Sequence, residues 1–199
     1  ILALSRKVKQ GATLLIVGVM IGTFVSSIIS ILQYFSDMES LKKFILWTLG
    51  STSSTSLQQS LILAVCVAFG LILAFITSKS LNAFLMGENY AKSLGVSVNK
   101  TRIITIISVG ILAGAATAFC GPIAFIGLAV PHVARNIFKT SLHHVLIPAS
   151  ALLGMSFMLL CDIISQMPFM PFTLPINAVT SIIGAPIVIA VIVKNKTVI

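Results

Sequence analysis

Six stretches of this chain, near residues 12–32, 59–78, 102–119, 122–138, 145–165 and 176–193, are apolar almost throughout. Each is close to the ~20 residues that carry a helix across a bilayer core. This feature narrows the possible folds more than any other. With 57% hydrophobic and 9% charged residues and a mean hydropathy of +1.11, the chain is no ordinary water-soluble domain. The expected fold class is all-α: a polytopic transmembrane helical bundle with six spans, forming a single membrane domain over residues 1–199 and carrying short interfacial helices.

A formal charge of +9 invites comparison with nucleic-acid binders, but those gather their cations on one polar face. Here the cations lie between apolar runs. Arg6, Lys7 and Lys9 precede the first run; Lys79, Lys92, Lys100 and Arg102 surround the loop after the second; Arg135 and Lys139 follow the fourth; Lys194 and Lys196 end the chain. That places 11 of 13 basic residues on one face, leaving Lys42 and Lys43, balanced by Asp37 and Glu39, on the other. The positive-inside rule makes the first face cytoplasmic, with both chain ends on it. Nucleic acid is not an expected partner; membrane lipid is.

Cys66, Cys120 and Cys161 are far apart in apolar stretches, with no metal-ligand spacing, and read as small packing residues. His143 and His144 are adjacent, point different ways on a helix, and read as polar inner-loop residues. The chain opens "ILALSRKVKQ", with neither an initiator methionine nor a signal peptide, and reads as a piece of something longer.

Two loops carry structure. In the outer loop, residues 33–58, Ser36 and Glu39 have capping-box spacing ahead of Leu41, Phe44, Ile45 and Trp47, which predicts a short interfacial helix anchored by Trp47. In the inner loop, residues 79–100, Gly87 and Gly95 divide the sequence into two short helices. Leu81, Phe84 and Leu85 give the first an apolar face. Glu88 sits at the positive end of the second, four residues before Lys92, and Gly95 is placed to stop it. Such a loop either rests among the headgroups or docks a cytoplasmic partner.

Within the membrane, Gly18, Gly22, Ser26 and Ser30 recur at i+4 steps on one narrow face of the first span. A stripe of this kind either lets helices approach closely or lines a water-accessible path. The sixth span repeats the pattern with Asn177, Thr180, Ser181 and Gly184 after Pro175, and the "GAP" at 184–186 is expected to interrupt its hydrogen-bond ladder. His132 and Arg135 share a face toward the inner end of the fourth span. Asp162 lies late in the outward-running fifth span, so the three do not form a relay. For Asp162 a structural hydrogen-bonding role is preferred to ion coupling. No phosphate loop, GxSxG elbow, HExxH pair or close pair of carboxylates occurs, so no catalytic residue and no metal site are assigned. If ATP is used, another chain hydrolyses it.

"GPIAFIGLAVPHVAR" (121–135), "MGENYAKSLGV" (86–96), Asp162 and "LPINAVTSIIGAP" (174–186) resemble the FecCD-type permeases, the membrane subunits of ABC importers for iron-siderophores, haem and cobalamin. The resemblance runs through essentially the whole chain, in order. It implies a ten-helix permease of which this chain matches helices five to ten. Such permeases work in pairs, homo- or heterodimeric, with cytoplasmic ATPase subunits beneath and an extracytoplasmic substrate-binding protein above, in the inner or plasma membrane of a bacterium or archaeon. The chain itself would then bind no cofactor, ATP being used by the partner. Carried over residue by residue, the resemblance makes Gly87, Glu88, Ala91, Leu94 and Gly95 the ATPase-coupling positions. It favours pathway lining for Gly18, Gly22, Ser26, Ser30, Asn177 and Ser181, and a cytoplasmic gate at Gly11 and Ala12. Two departures stand out: Met86 where leucine is usual, a volume-conserving change, and Gln166 where some members carry an arginine that holds the binding protein.

On this reading Pro122 starts a helix after a tight turn at Gly121. Pro131 bends or ends it early, so that His132 and Arg135 brace the inner face. The expected function is a non-enzymatic permease subunit forming half of a pathway. The competing expectation is an ion-coupled secondary transporter or channel that uses Asp162.

Overall fold

A computed structural model describes residues 11–52, 55–123, 125–166 and 174–196, without the side chains of 11, 12, 14, 15 and 191–196. The flanking cations Arg6, Lys7, Lys9, Lys194 and Lys196 therefore lie outside the described side chains. Among the described residues there are eight α-helices and no strand. The chain divides into two compact units, Ile1–Leu46 and Trp47–Ile199.

The first unit holds α1 (Gly11–Tyr34) and most of α2 (Met38–Thr48). The cap of α2 differs from expectation. Ser36 turns its hydroxyl back to Leu32 O at 2.8 Å, and the side chain of Asp37 accepts the Ser40 N–H at 2.9 Å instead. An ionised carboxylate is the stronger acceptor beside the exposed N–H groups of a first turn. The Ser40 backbone bond, chief among its local hydrogen bonds, holds Asp37 below the ordinary carboxylate range. Glu39 pairs instead with Lys43 at 2.8 Å on the exposed helix surface.

The second unit holds α3 (Leu57–Phe84), α4 (Glu88–Ser93), α5 (Val98–Cys120), α6 (Ile126–Phe138), α7 (His143–Ser165) and α8 (Ile176–Lys196). A capping box unrecognised in the sequence opens α3: Ser56 Oγ accepts from Gln59 N while Gln59 Oε1 accepts from Ser56 N.

Helices α3 and α5 share the most extensive interface, and it is built from small and polar residues. A Cβ on Gly70 would stand 2.6 Å from Leu112 Cγ, so only glycine permits this approach. Ser108 Oγ, buried, donates to Gly70 O at 2.8 Å across the contact. Thr77, Ser78 and Thr101 are buried as well, whereas Leu61, Val65, Phe69, Ile72 and Phe75 face outward. This distribution suits lipid as the surrounding solvent: apolar side chains gain nothing by leaving it, and close backbone packing with hydrogen bonds such as that of Ser108 holds the helices together.

Among the described residues, four helices are long and apolar enough to cross a membrane, beginning at Ile16, Leu57, Val98 and His143, with a shorter apolar stretch at Ile176–Ala190 in α8. The six expected spans are thus not all matched by helices of spanning length. The run 122–138 gives α6 only 13 residues. Pro122 does not start it; residues 121–123 are non-helical and the helix begins at Ile126, behind Phe125 at φ 64°. Nor does Pro131 end it, since α6 continues to Phe138 and closes on Lys139 in the left-handed conformation. A proline in the second turn forfeits only one early hydrogen bond, which a short packed helix tolerates. The buried Ala129, Val130 and Ala134 seat α6 against α7 and α8. In α8 Pro186, which has no N–H, takes one bond out of the ladder as expected, yet the helix continues through it; Gly184 is buried there, with its Cβ position 3.1 Å from Phe125 Cβ.

Candidate functional site

The inner loop is organised around α4. The expected first short helix is instead the last turn of α3, which runs unbroken to Phe84 because nothing before Gly87 stops it. A hydrogen-bonded turn follows, with Met86 N donating to Ala83 O and Gly87 N to Phe84 O. Gly87, at φ 104° and ψ 155°, occupies backbone territory essentially reserved for glycine and reverses the chain into α4.

The other end of α4 is a Schellman motif. Val96 N donates to Ala91 O and Gly95 N to Lys92 O, both at 3.0 Å, with Gly95 at φ 77°. Glu88 bonds Lys92 at 3.1 Å and reaches Arg102 of α5 at 3.9 Å. Ala91 is fully buried at 0% exposure, while Met86 at 73% and Leu94 at 59% stand out toward solvent beside Leu85 and Tyr90. The helix is thus pinned by one small residue and two glycines and presents apolar side chains outward.

At the opposite end of the second unit, segments 47–51, 120–122 and 174–177 are tied together. Asn177 Nδ2 donates to Thr48 O at 3.0 Å and to Pro122 O at 2.8 Å. Asn177 N donates to Leu49 O, and Ser51 N to Cys120 O. Gly121, at φ 81° and ψ 174°, packs so closely that a Cβ would lie 2.3 Å from Trp47 O. Trp47 Nε1 donates to Ala118 O at 3.4 Å. Nearby, both carboxylate oxygens of Asp162 are engaged, by the hydroxyl of Thr52 and by Gln166 Nε2 at 2.7 Å. Gln166, the C-cap of α7, thus donates to a carboxylate one turn back in the same helix.

The FecCD transport family matches residues 1–194. The chain belongs to the FecCD transport family. It is 34% identical over 184 residues to YvrB of Bacillus subtilis, an uncharacterized ABC transporter permease protein, covering 92% of this chain and 52% of that protein. It is 33% identical over 196 residues to the vitamin B12 import system permease protein BtuC of Vibrio cholerae, covering 98% and 59%. A solved ABC transporter assigned to the metal-chelate type, in an inward-facing conformation, matches at a TM-score of 0.89 and 30% identity, over 97% of this chain and 63% of that one. The FecCD chain described here thus spans little more than half the length of these two permeases. As a member of this family it is a multi-pass protein of the cell membrane and a transport component, not an enzyme.

The remaining residues singled out in this FecCD chain are dispersed. In α1, Gly18, Gly22, Ser26 and Ser30 fall on one face; Ser30 Oγ donates to Ser26 O at 2.9 Å, and nothing lies within 4 Å of a Cβ built on Gly18 or Gly22. Gly11 and Ala12 form the first turn of α1, with side-chain surroundings outside the description. In α8, the Asn177 side-chain amide nitrogen is committed to two backbone carbonyls, while its main-chain carbonyl accepts the Ser181 hydroxyl of its own helix at 2.6 Å. In α6, Pro131 is half-buried while His132 and Arg135 are exposed. No cluster of three or more potential metal ligands occurs among the described residues.

Sequence reasoning passed over Asn82. Its Oδ1 accepts from the His143 backbone N–H at 2.7 Å and from His143 Nδ1 at 2.9 Å, and its Nδ2 lies 3.4 Å from His144 Nδ1. Both histidines thus reach one amide at the start of α7, where neighbouring residues are not yet forced onto separate faces. An amide in the last turn of an otherwise apolar span, six residues before Glu88, was the available signal.

Proposed function

We propose that this chain is part of a permease of an ABC importer for a metal chelate of the iron-siderophore, haem or cobalamin kind, and that it contributes half of the translocation pathway beside a second permease subunit. A separate cytoplasmic ATPase would bind and hydrolyse the ATP, and an extracytoplasmic binding protein would deliver the cargo. The observation that carries the reading is α4: a six-residue helix, framed by Gly87 and Gly95, that buries Ala91 and turns Met86, Tyr90 and Leu94 outward. Exposed apolar groups on a loop surrounded by Lys79, Lys92, Lys100 and Arg102 call for a protein partner on the inner side. The relatives' assigned roles, in vitamin B12 import and metal-chelate transport, support the cargo class.

On this reading both chain ends are cytoplasmic, which requires the 121–138 segment to cross. Helix α6 covers about 20 Å at 1.5 Å per residue, short of a hydrocarbon core of about 30 Å, so the crossing would include non-helical backbone at 121–123. Non-helical backbone at that depth needs partners inside the protein, and Pro122 O and Gly121 N have them in Asn177 and Thr117. Spans α1 and α8 would line the path with Gly18, Gly22, Ser26, Ser30 and Ser181, and Gly11 and Ala12 would gate it. His132 and Arg135 would brace the inner face. The ion-coupled alternative is disfavoured because both oxygens of Asp162 are already engaged.

The test places Met86→Glu and Leu94→Glu in the complete permease, co-expressed with its ATPase and binding protein. Copurification of the ATPase and chelate uptake should both be lost, while Asp162→Asn should leave uptake largely intact. Retained ATPase and uptake in the first variant, with transport abolished in the second, would establish the ion-coupled reading instead.

A further inference from the structure

Helix α7 begins without a cap of its own. Its N-cap residue is Leu142, which has no side-chain acceptor, and no local side chain bonds its first turn. The first N–H groups of a helix need partners, and one comes from a residue 61 positions away: Asn82, half-buried in the last turn of α3, takes both the backbone N–H and the ring Nδ1–H of His143 on one carbonyl oxygen. Asn82 is also tied to α4 by a short, stiff path. The turn of residues 85–87 is hydrogen-bonded at Leu85, Met86 and Gly87, and Ala91 N returns to Gly87 O.

We propose that Asn82 is a positioning residue that passes displacement of α4 to the inner end of α7, a step that rests on the ATP-coupled reading above. Besides the turn at residues 95–97 that continues the chain into α5, two links run from α4 toward neighbouring helices. The Glu88–Arg102 pair toward α5 is 3.9 Å long and its glutamate is half exposed, so water and salt screen it. The Asn82 cap is short, doubled and directed, and it ends on backbone, so it fixes the direction of a helix axis and not merely a side chain. Moving α4 therefore either carries the start of α7 with it or breaks the cap.

The assembled transporter in liposomes tests this. For Asn82→Ala, the ATPase should remain bound and hydrolysis should persist, while uptake per ATP falls about 2- to 30-fold. Amide exchange in residues 142–146 should quicken. Asn82→Asp keeps an acceptor for both His143 donors and should restore coupling and protection. Uptake, hydrolysis and thermal midpoint falling in parallel in both variants, or an unchanged ratio in Asn82→Ala, would overturn the proposal. Should Asn82→Ala fail to assemble, the unsubstituted transporter decides: exchange in 142–146 must change between nucleotide-free and ATP-bound states along with that in 85–96, and a change confined to 85–96 would refute it. Chelate uptake by the unsubstituted protein without ATP hydrolysis would overturn the ATP-coupled reading itself.

Discussion

Two pairs of glycines sit in positive-φ turns of the second unit, and they are there for different reasons. At the 47–51/120–122 junction, Gly50 and Gly121 lack side chains because other atoms fill the space: Ile176 Cγ2 lies 3.0 Å from a Cβ on Gly50, and Trp47 O lies 2.3 Å from one on Gly121. Around α4, Gly87 and Gly95 have nothing within 4 Å, and only their backbone angles exclude other residues. The first junction is a packed knot in which backbone meets backbone. The turns that flank α4 leave room around both glycines, so backbone angle alone sets the residue there.

Substitutions sharpen or break this contrast. Gly121→Ala combines Gly-only backbone geometry with a clash against a carbonyl, and should cost about 4 kcal/mol, seen as a large drop in thermal midpoint in detergent. Asn177→Ala removes two donors from Thr48 O and Pro122 O and should cost about 2 kcal/mol; Asn177→Asp, which sets a carboxylate against those carbonyls, should be worse. Gly95→Ala should cost only about 1 kcal/mol, and Gly95→Asn less, because asparagine tolerates the left-handed conformation. Equal losses for Gly121→Ala and Gly95→Ala would dissolve the distinction between space and angle.

The smallest effect expected is at Asp37. Its carboxyl titrates below the ordinary range when folded, so its cap contributes fully above the unfolded value and fades as pH falls through the folded one. Faster exchange of the Ser40 amide should appear only in that acid window; loss at neutral pH would show that the cap is not the carboxylate.

Much of this was legible in the chain itself. Glu88, Lys92 and Gly95 lie within one helix turn or two of each other, so their pairing and the helix stop follow from spacing alone, and the structure shows Glu88 bonded to Lys92 and Gly95 closing a Schellman motif. The S-x-x-Q at Ser56 was equally local and was overlooked in favour of Ser36, where a neighbouring carboxylate took the cap. For Asn177 and Ser181, given a pathway-lining place by the family resemblance, the structure adds what spacing did not carry: Asn177 bonds two distant carbonyls and Ser181 returns to its own helix. Asn82 stood out only as an amide near the end of an apolar run, and nothing in its spacing pointed to a helix start 61 residues later.

Local order, then, was written in residue spacing: the apolar runs, the position of α4, and the family these motifs mark. Contacts between distant segments decided the rest. The length of α6, the continuity of α3 and α8 through expected breaks, the partners of Asn82, Asp162 and Asn177, and the intolerance of Gly121 to a side chain all depend on which backbone atoms arrive beside one another. Hydrogen-bond demand at a helix end is set locally, but in a bundle it is met by whichever polar group the packing brings near.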